Sequence, residues 1–218
     1  MANKIDFSIT NAYHGSQFRI EEFSEDFIGR GNDQLGSGFY CTTGETVARG
    51  YSEEDSQKTI LFGSDNISPT LHTLKLSIKN PLDAKHPQAL SYNEVEAFIT
   101  SAPSLNEALE NFGDVEYEGF GKVLNRAISS YMGNDSSPLI MVLNNLSNDF
   151  YFDSPAQFNG VAFNILGYDS VIEHFQNESN ICVWFKEDIK IISRESILKK
   201  EVENTSAKDK FDSASVSP

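Results

Sequence analysis

Gly36-Ser37-Gly38-Phe39-Tyr40-Cys41-Thr42, with Ala48-Arg49-Gly50-Tyr51-Ser52 shortly after it, is the stretch that orders the reading of the rest of the chain. Phe39 and Tyr40 begin a strand. Thr42 with Glu45 three residues on matches a capping box and predicts a short helix carrying Val47, Ala48 and Tyr51. Val47 and Tyr51 stand four apart and share one helix face. A strand turning into a helix in this way sets Tyr40 and Tyr51, eleven positions apart, side by side. Two parallel phenol rings can sandwich a flat heteroaromatic ligand, each stack contributing about 1 kcal/mol. The same two rings would serve equally well as core or rim packing.

Upstream, a strand over residues 5–13 is expected to end at Tyr13-His14-Gly15-Ser16. A glycine there lets a ligand approach the backbone closely, and an imidazole and a hydroxyl beside it can hydrogen-bond a sugar. An ordinary surface histidine at a strand end would look the same. Residues 17–28 are expected to hold a short helix and 29–38 a loop. Downstream, His72, Leu74, Leu76 and Ile78 alternate with Thr73, Lys75, Ser77 and Lys79, which predicts a half-buried strand over 71–79, ended by Asn80-Pro81. Residues 91–132 read as helical, with capping boxes at Ser91/Glu94 and Ser104/Glu107, and 133–138 as a loop. A helix over 155–166 has Ser154 as N-cap, Pro155 at its first position, Gln157 completing a box and Gly167 at its end. Residues 168–175 and 181–185 form a predicted hairpin, and 190–193 a further strand. From Lys199 the chain is polar and is expected to be a disordered tail, leaving one domain over 1–198. Strands at both ends with helices between them indicate an α+β fold.

Composition narrows the function classes. The 218 residues are 39% hydrophobic and 22% charged, as in a globular domain. Asp and Glu total 32 against 17 Lys and Arg, a net charge of −15. A field of that sign repels phosphate backbones and anionic lipid, which argues against nonspecific nucleic-acid binding. Cys41 and Cys182 lack metal-ligand spacing and read as buried free thiols. His14, His72, His86 and His174 show no shared-ligand spacing either, so no metal is expected. The first residues carry no signal-peptide pattern, and no apolar run approaches the roughly 20 residues of a membrane-spanning helix. A monomer in the cytoplasm, without membrane association, is the expectation.

A third motif is Glu173-His174-Phe175-Gln176-Asn177-Glu178-Ser179-Asn180-Ile181-Cys182-Val183-Trp184-Phe185. A carboxylate at a strand start facing a cleft can stabilise a cationic sugar transition state, although such a polar run is by default a solvated turn. In this order the three motifs resemble ADP-ribosyltransferases of the diphtheria-toxin and poly(ADP-ribose) polymerase type, with their His, Tyr, Glu triad. They also resemble the ADP-ribosyltransferase domains of phage and mobile-element polyvalent proteins. Lys79-Asn80-Pro81-Leu82, Gly167-Tyr168-Asp169 and Ile189-Lys190 are further landmarks of that likeness, which runs over about 13–192 and skips 91–150.

The resemblance implies a split β-sandwich with a helical insert at about 91–150. It implies NAD⁺ as substrate, cleaved at the nicotinamide–ribose bond, with one ADP-ribose passed to a macromolecular acceptor, protein rather than nucleic acid. By similarity, His14 would bond the adenosine ribose, the Gly15 backbone the carboxamide, and Ser16 the nicotinamide-side ribose, while Tyr40 and Tyr51 would stack on the nicotinamide. It further implies a toxin-like effector acting in a host cytoplasm after delivery. The sequence departs from the pattern where the family's glutamate stands, because counting back from Ile189-Lys190 that position is Asn180. Glu178, two residues earlier and of the same strand parity, is the first candidate for the carboxylate, and Glu173 on the preceding strand the second. Asn180 would still bond the ribose. If neither carboxylate serves, the chain is a weak or inactive NAD-binding or protein-interaction module on the same fold.

Overall fold

The computed structural model describes residues 7–28, 34–53, 67–132 and 137–197. The expected tail from residue 199, and parts of the loops expected over 29–38 and 133–138, lie outside the described residues. The described strands are β1 (Phe7–Ser16), β2 (Phe39–Thr42), β3 (Thr70–Ile78), β4 (Pro81–Asp83), β5 (Ser170–His174), β6 (Ser179–Val183) and β7 (Ile189–Ser196). The described α-helices are α1 (Glu45–Ser52), α2 (Tyr92–Thr100), α3 (Leu105–Leu109), α4 (Val115–Glu118), α5 (Phe120–Tyr131), α6 (Leu139–Phe150) and α7 (Pro155–Leu166).

The seven strands form one sheet in the order β4-β5-β6-β2-β1-β3-β7. β1 and β2 meet at one register pair, Tyr13↔Thr42. On one side of that seam β1 pairs with β3 from Phe7↔Ile78 to Ser16↔Thr70. On the other side β2 pairs with β6 from Phe39↔Val183 to Thr42↔Asn180. The sheet is thus split where the ladder nearly stops, as expected of an α+β fold with a divided sheet.

Successive residues of a strand face opposite sides, and here each side buries a core. Ile172, Ile181 and Val183 join Leu74, Leu76, Ile78, Phe39 and Phe23 on one face. Val171 and Cys182, their neighbours in sequence, join the helical layer on the other, with Phe98, Ile128, Leu143 and Phe158. The alternation read over 71–79 holds: His72, Leu74, Leu76 and Ile78 are buried while Lys75 and Ser77 are exposed. Both cysteines are buried and neither is in a disulfide.

Several local expectations are corrected. β1 runs on to Ser16, so His14 and Gly15 lie inside a strand; pairing with β3 carries the ladder past them. Only a 3₁₀ turn, Glu25–Phe27, forms in 17–28. α1 begins two residues later than the Thr42 box predicts. Gly44 is its N-cap, Thr42 Oγ1 accepts from the Gly44 N–H at 3.1 Å, and Glu45 instead bonds Arg49 one turn on. The Ser91/Glu94 box is complete, whereas Ser104 and Ser154 cap without a side-chain bond. Gly167 closes α7 at φ 79°, the left-handed conformation that glycine adopts without penalty. α6 falls within the helical insert expected over about 91–150, although the sequence delimits no separate helix there; Leu139, Leu143, Leu146 and Phe150 carry its buried face at helical spacing.

Two of the sequence landmarks meet in space. The buried Asp169 carboxylate accepts the Lys79 N–H at 2.6 Å and the Asn80 N–H at 3.1 Å, and Asn80 Nδ2 donates to the Gly167 carbonyl at 2.9 Å. This clamp sets β4 parallel to β5 at the sheet edge, where Pro81, lacking an N–H, is tolerated.

Candidate active site

A cleft of about 470 Å³ opens at the seam. His14, Gly15 and Ser16 from β1, Tyr40 from β2, Tyr51 from α1 and Asn180 from β6 all line it. These are six of the eight residues singled out from sequence; of the two candidate carboxylates, Glu178 is not among its lining residues. Glu173 is.

A row of register partners crosses the seam. Tyr13 opposes Thr42, Thr42 opposes Asn180, and Asn180 opposes Glu173. Directly opposed residues point to the same face, so four strands send these four side chains to one wall, and all four line the cleft.

His14 stands where β1 and β2 part. Its Nδ1 lies 2.6 Å from the Tyr40 carbonyl. A carbonyl only accepts, so Nδ1 carries the proton and Nε2 is left as an acceptor. His72 repeats the arrangement behind it: Nδ1 donates to the His14 carbonyl at 3.2 Å, and Nε2 accepts the Ile20 N–H at 3.0 Å. Burial pulls the His14 pKa down to about 4; the Tyr40 carbonyl opposes this and nearby His72 adds to it. His72 is lowered too, chiefly by burial. Both imidazoles are neutral at pH 7. The Phe23 ring meets His14 edge-on at 5.4 Å.

The Tyr40 hydroxyl accepts the Leu35 N–H at 2.8 Å and donates to the Gly36 carbonyl at 2.9 Å. It therefore fastens the 34–37 loop, whose Gln34 and Leu35 form part of the cleft wall. From the opposite side Asn159 Nδ2 of α7 donates to the Ser37 carbonyl at 2.6 Å, and Asn144 Nδ2 of α6 to the Gln34 carbonyl at 3.3 Å. The helical layer thus reaches into the cleft wall.

Gly15 was read as room for a ligand, but the nearest occupant of that room is helix α1. A Cβ on Gly15 would lie 1.6 Å from the Ala48 carbonyl oxygen and 2.8 Å from Ser52 Oγ. The missing side chain lets α1 pack on β1, which brings Tyr51 to the cleft with its side chain 67% exposed. Gln17 Nε2 ties the end of the same helix through the Glu53 carbonyl at 2.5 Å. Glu178 sits in the turn between β5 and β6. Its Oε2 lies 1.9 Å from where a Gly44 Cβ would be, so the carboxylate occupies the space over the N-cap of α1.

Tyr13, Gln17, Gln34 and Thr42 line the cleft and were not singled out beforehand. Period-two alternation from Gly15 reaches Tyr13 and Gln17, and alternation from Tyr40 reaches Thr42. Nothing local marks Gln34. The Cys41 thiol, also at the wall, is pushed up to about 12 by burial and is no nucleophile at neutral pH. Among the described residues no group of His, Cys, Asp and Glu is arranged to hold a metal, and no helix is long and apolar enough to cross a membrane.

No curated protein and no solved structure matches the chain. The model of a family described as ADP-ribosyltransferase in polyvalent proteins matches residues 9–197, from the β1 strand that carries His14 to the residue after β7. With a match of that extent over a split sheet whose seam gathers His14, Tyr40 and Tyr51, the chain belongs to the ADP-ribosyltransferase family of polyvalent proteins.

Proposed function

We propose that the cleft binds NAD⁺ and that the protein is a mono-ADP-ribosyltransferase, passing ADP-ribose from NAD⁺ to a protein acceptor. The observation that carries this reading is the convergence of His14, Tyr40, Tyr51 and Asn180 on one cleft from three strands and a helix. The nicotinamide ring lies between Tyr40 and Tyr51. The Tyr40 hydroxyl is engaged on both sides by backbone, so Tyr40 contributes its ring face rather than a proton. The Gly15 backbone holds the carboxamide and Ser16 the nicotinamide-side ribose. Neutral His14, with Nδ1 committed to Tyr40, offers Nε2 as an acceptor for a hydroxyl of the adenosine ribose.

In the reaction the C1′–N bond breaks, and nicotinamide departs with the bonding pair as a neutral base. C1′ takes on cationic character, and a lone pair of the acceptor closes the new bond while its proton passes to solvent. Positioning and charge stabilisation supply most of the acceleration. The net charge of −15 disfavours a phosphate backbone as acceptor.

Nicotinamide release from NAD⁺ by the full chain tests the reading, with Tyr51→Ala as the informative variant because its ring is largely exposed and supports little of the fold. Loss of one stack, about 1 kcal/mol, corresponds to a roughly fivefold rise in the NAD⁺ concentration giving half-maximal rate, at unchanged melting temperature. An unchanged NAD⁺ dependence in Tyr51→Ala would remove the clamp from the mechanism.

A further inference from the structure

We infer that Glu173 supplies the carboxylate that stabilises the ribosyl cation, a role moved by one strand from β6 to β5; this rests on the NAD⁺ reading above. As nicotinamide leaves, positive charge builds on C1′ and the ring oxygen, and a fixed anion beside the ribose lowers that barrier. The acidic side chains nearest this wall in sequence are Glu173 and Glu178. They differ in what holds them.

Glu173 is the register partner of Asn180 and half-buried, and both residues line the cleft. Side chains of directly opposed residues start about 5 Å apart on one face. A carboxylate on β5 therefore reaches ligand space next to that reached from Asn180 on β6. Among the described residues no Lys or Arg pairs with Glu173, so its charge is not spent on a neighbouring cation. Glu178 is outside the lining residues, over Gly44 at the start of α1, where its carboxylate faces the positive end of that helix. Its strand parity matches Asn180, but β6 begins at Ser179 and the turn carries Glu178 away; its carbonyl is taken by the Phe175 N–H at 2.8 Å.

The two groups then divide the work. Asn180, neutral, donates its amide N–H to a ribose oxygen. The Glu173 carboxylate accepts a hydrogen bond from the 2′-hydroxyl and places negative charge beside the developing cation. No proton or electron is gained by either.

The experiment compares Glu173→Gln, Glu178→Gln and the double variant Glu173→Gln/Asn180→Glu in the full chain. Nicotinamide release, NAD⁺ binding by calorimetry and melting temperature are read for each. Glu173→Gln is expected to lower kcat for release by about a hundredfold or more while NAD⁺ binding stays within a few-fold. Glu178→Gln is expected to keep release near that of the unmodified chain. The double variant, which returns the carboxylate to β6, is expected to regain at least tenfold over Glu173→Gln. Release unaffected by Glu173→Gln, in a chain that still binds NAD⁺, overturns the assignment and leaves the donor site standing. Failure of the unmodified chain to bind NAD⁺ overturns the donor reading itself.

Discussion

In the half of the sheet made of β1, β3 and β7, the ladders are long: β1 runs along β3 from Phe7↔Ile78 to Ser16↔Thr70, and β3 along β7 from Thr70↔Ser196 to Leu76↔Ile189. In the half made of β4, β5, β6 and β2, the longest ladder is the five residues of β5 against β6. That second half leans on the helical layer instead, through Leu35 and Cys182 buried among the helices and through Asn144 and Asn159 bonded to the 34–37 loop. The first half thus adds long backbone ladders to its buried core, while the second, with shorter ladders, depends more on side chains that belong to the helical layer. The cleft forms at the junction and inherits both, a stiff wall carrying His14 and Gly15 and a propped wall carrying Tyr40. Substitutions should therefore act differently on its two sides.

The largest effect is expected on the stiff side. Gly15→Ala drives a Cβ to within 1.6 Å of the Ala48 carbonyl, and a backbone carbonyl cannot rotate away. The helix must leave the strand, at a cost at or above the upper end of the roughly 1–3 kcal/mol typical of overpacking. Denaturant unfolding measures it, and a loss below about 0.5 kcal/mol would show that α1 is not seated as described.

Next comes the seam. The His14 pKa lies at about 4 in the folded chain against an ordinary 6.5. Between those values the unfolded chain binds the extra proton and the folded chain does not, so stability falls as pH drops from 6.5 towards 4. Above 6.5 this group contributes no pH dependence. The loss across that window is on the order of 3 kcal/mol, with His72 adding in the same direction. His14→Gln should flatten this part of the stability–pH curve in equilibrium unfolding measured from pH 7 to 4.5. A curve of unchanged slope would mean that His14 does not hold the two walls together as a neutral group.

The propped side should show the smallest stability effect. Asn144→Ala removes a partly exposed bond to the Gln34 carbonyl and should cost less than about 1 kcal/mol. Because that bond supports the cleft wall, the NAD⁺ concentration for half-maximal release should rise several-fold while kcat and melting temperature change little. An equal loss in kcat and stability would instead make α6 a general scaffold with no particular tie to the cleft.

How much of this is legible in the sequence depends on the range of the interactions involved. The alternation over 71–79 and the helix bounded by Pro155 and Gly167 follow from residues a few positions apart and appear where the pattern puts them; the hairpin of β5 and β6 forms too, but its second strand, read as 181–185, runs from Ser179 to Val183. The Thr42 box fails because Gly44 forms the cap once Ser179, at the start of β6, has pinned Thr43. The extension of β1 past Gly15 likewise depends on β3, more than fifty residues away. His14, Gly15, Ser16, Tyr40, Tyr51 and Asn180 are all nameable from sequence, by spacing and by resemblance. Their convergence is a fact of the sheet.

The carboxylate marks the boundary between the two kinds of information. Local parity favours Glu178, two residues from Asn180 along one strand. Register across strands favours Glu173, seven residues away in sequence and directly opposite in space. The sequence by itself determined the strand and helix periods, the turn residues and the chemical identity of the side chains, because each depends on near neighbours. Tertiary structure alone decided where β6 begins, which residues oppose one another across the seam and which of two glutamates faces the cleft, because register is settled by whole strands pairing at once.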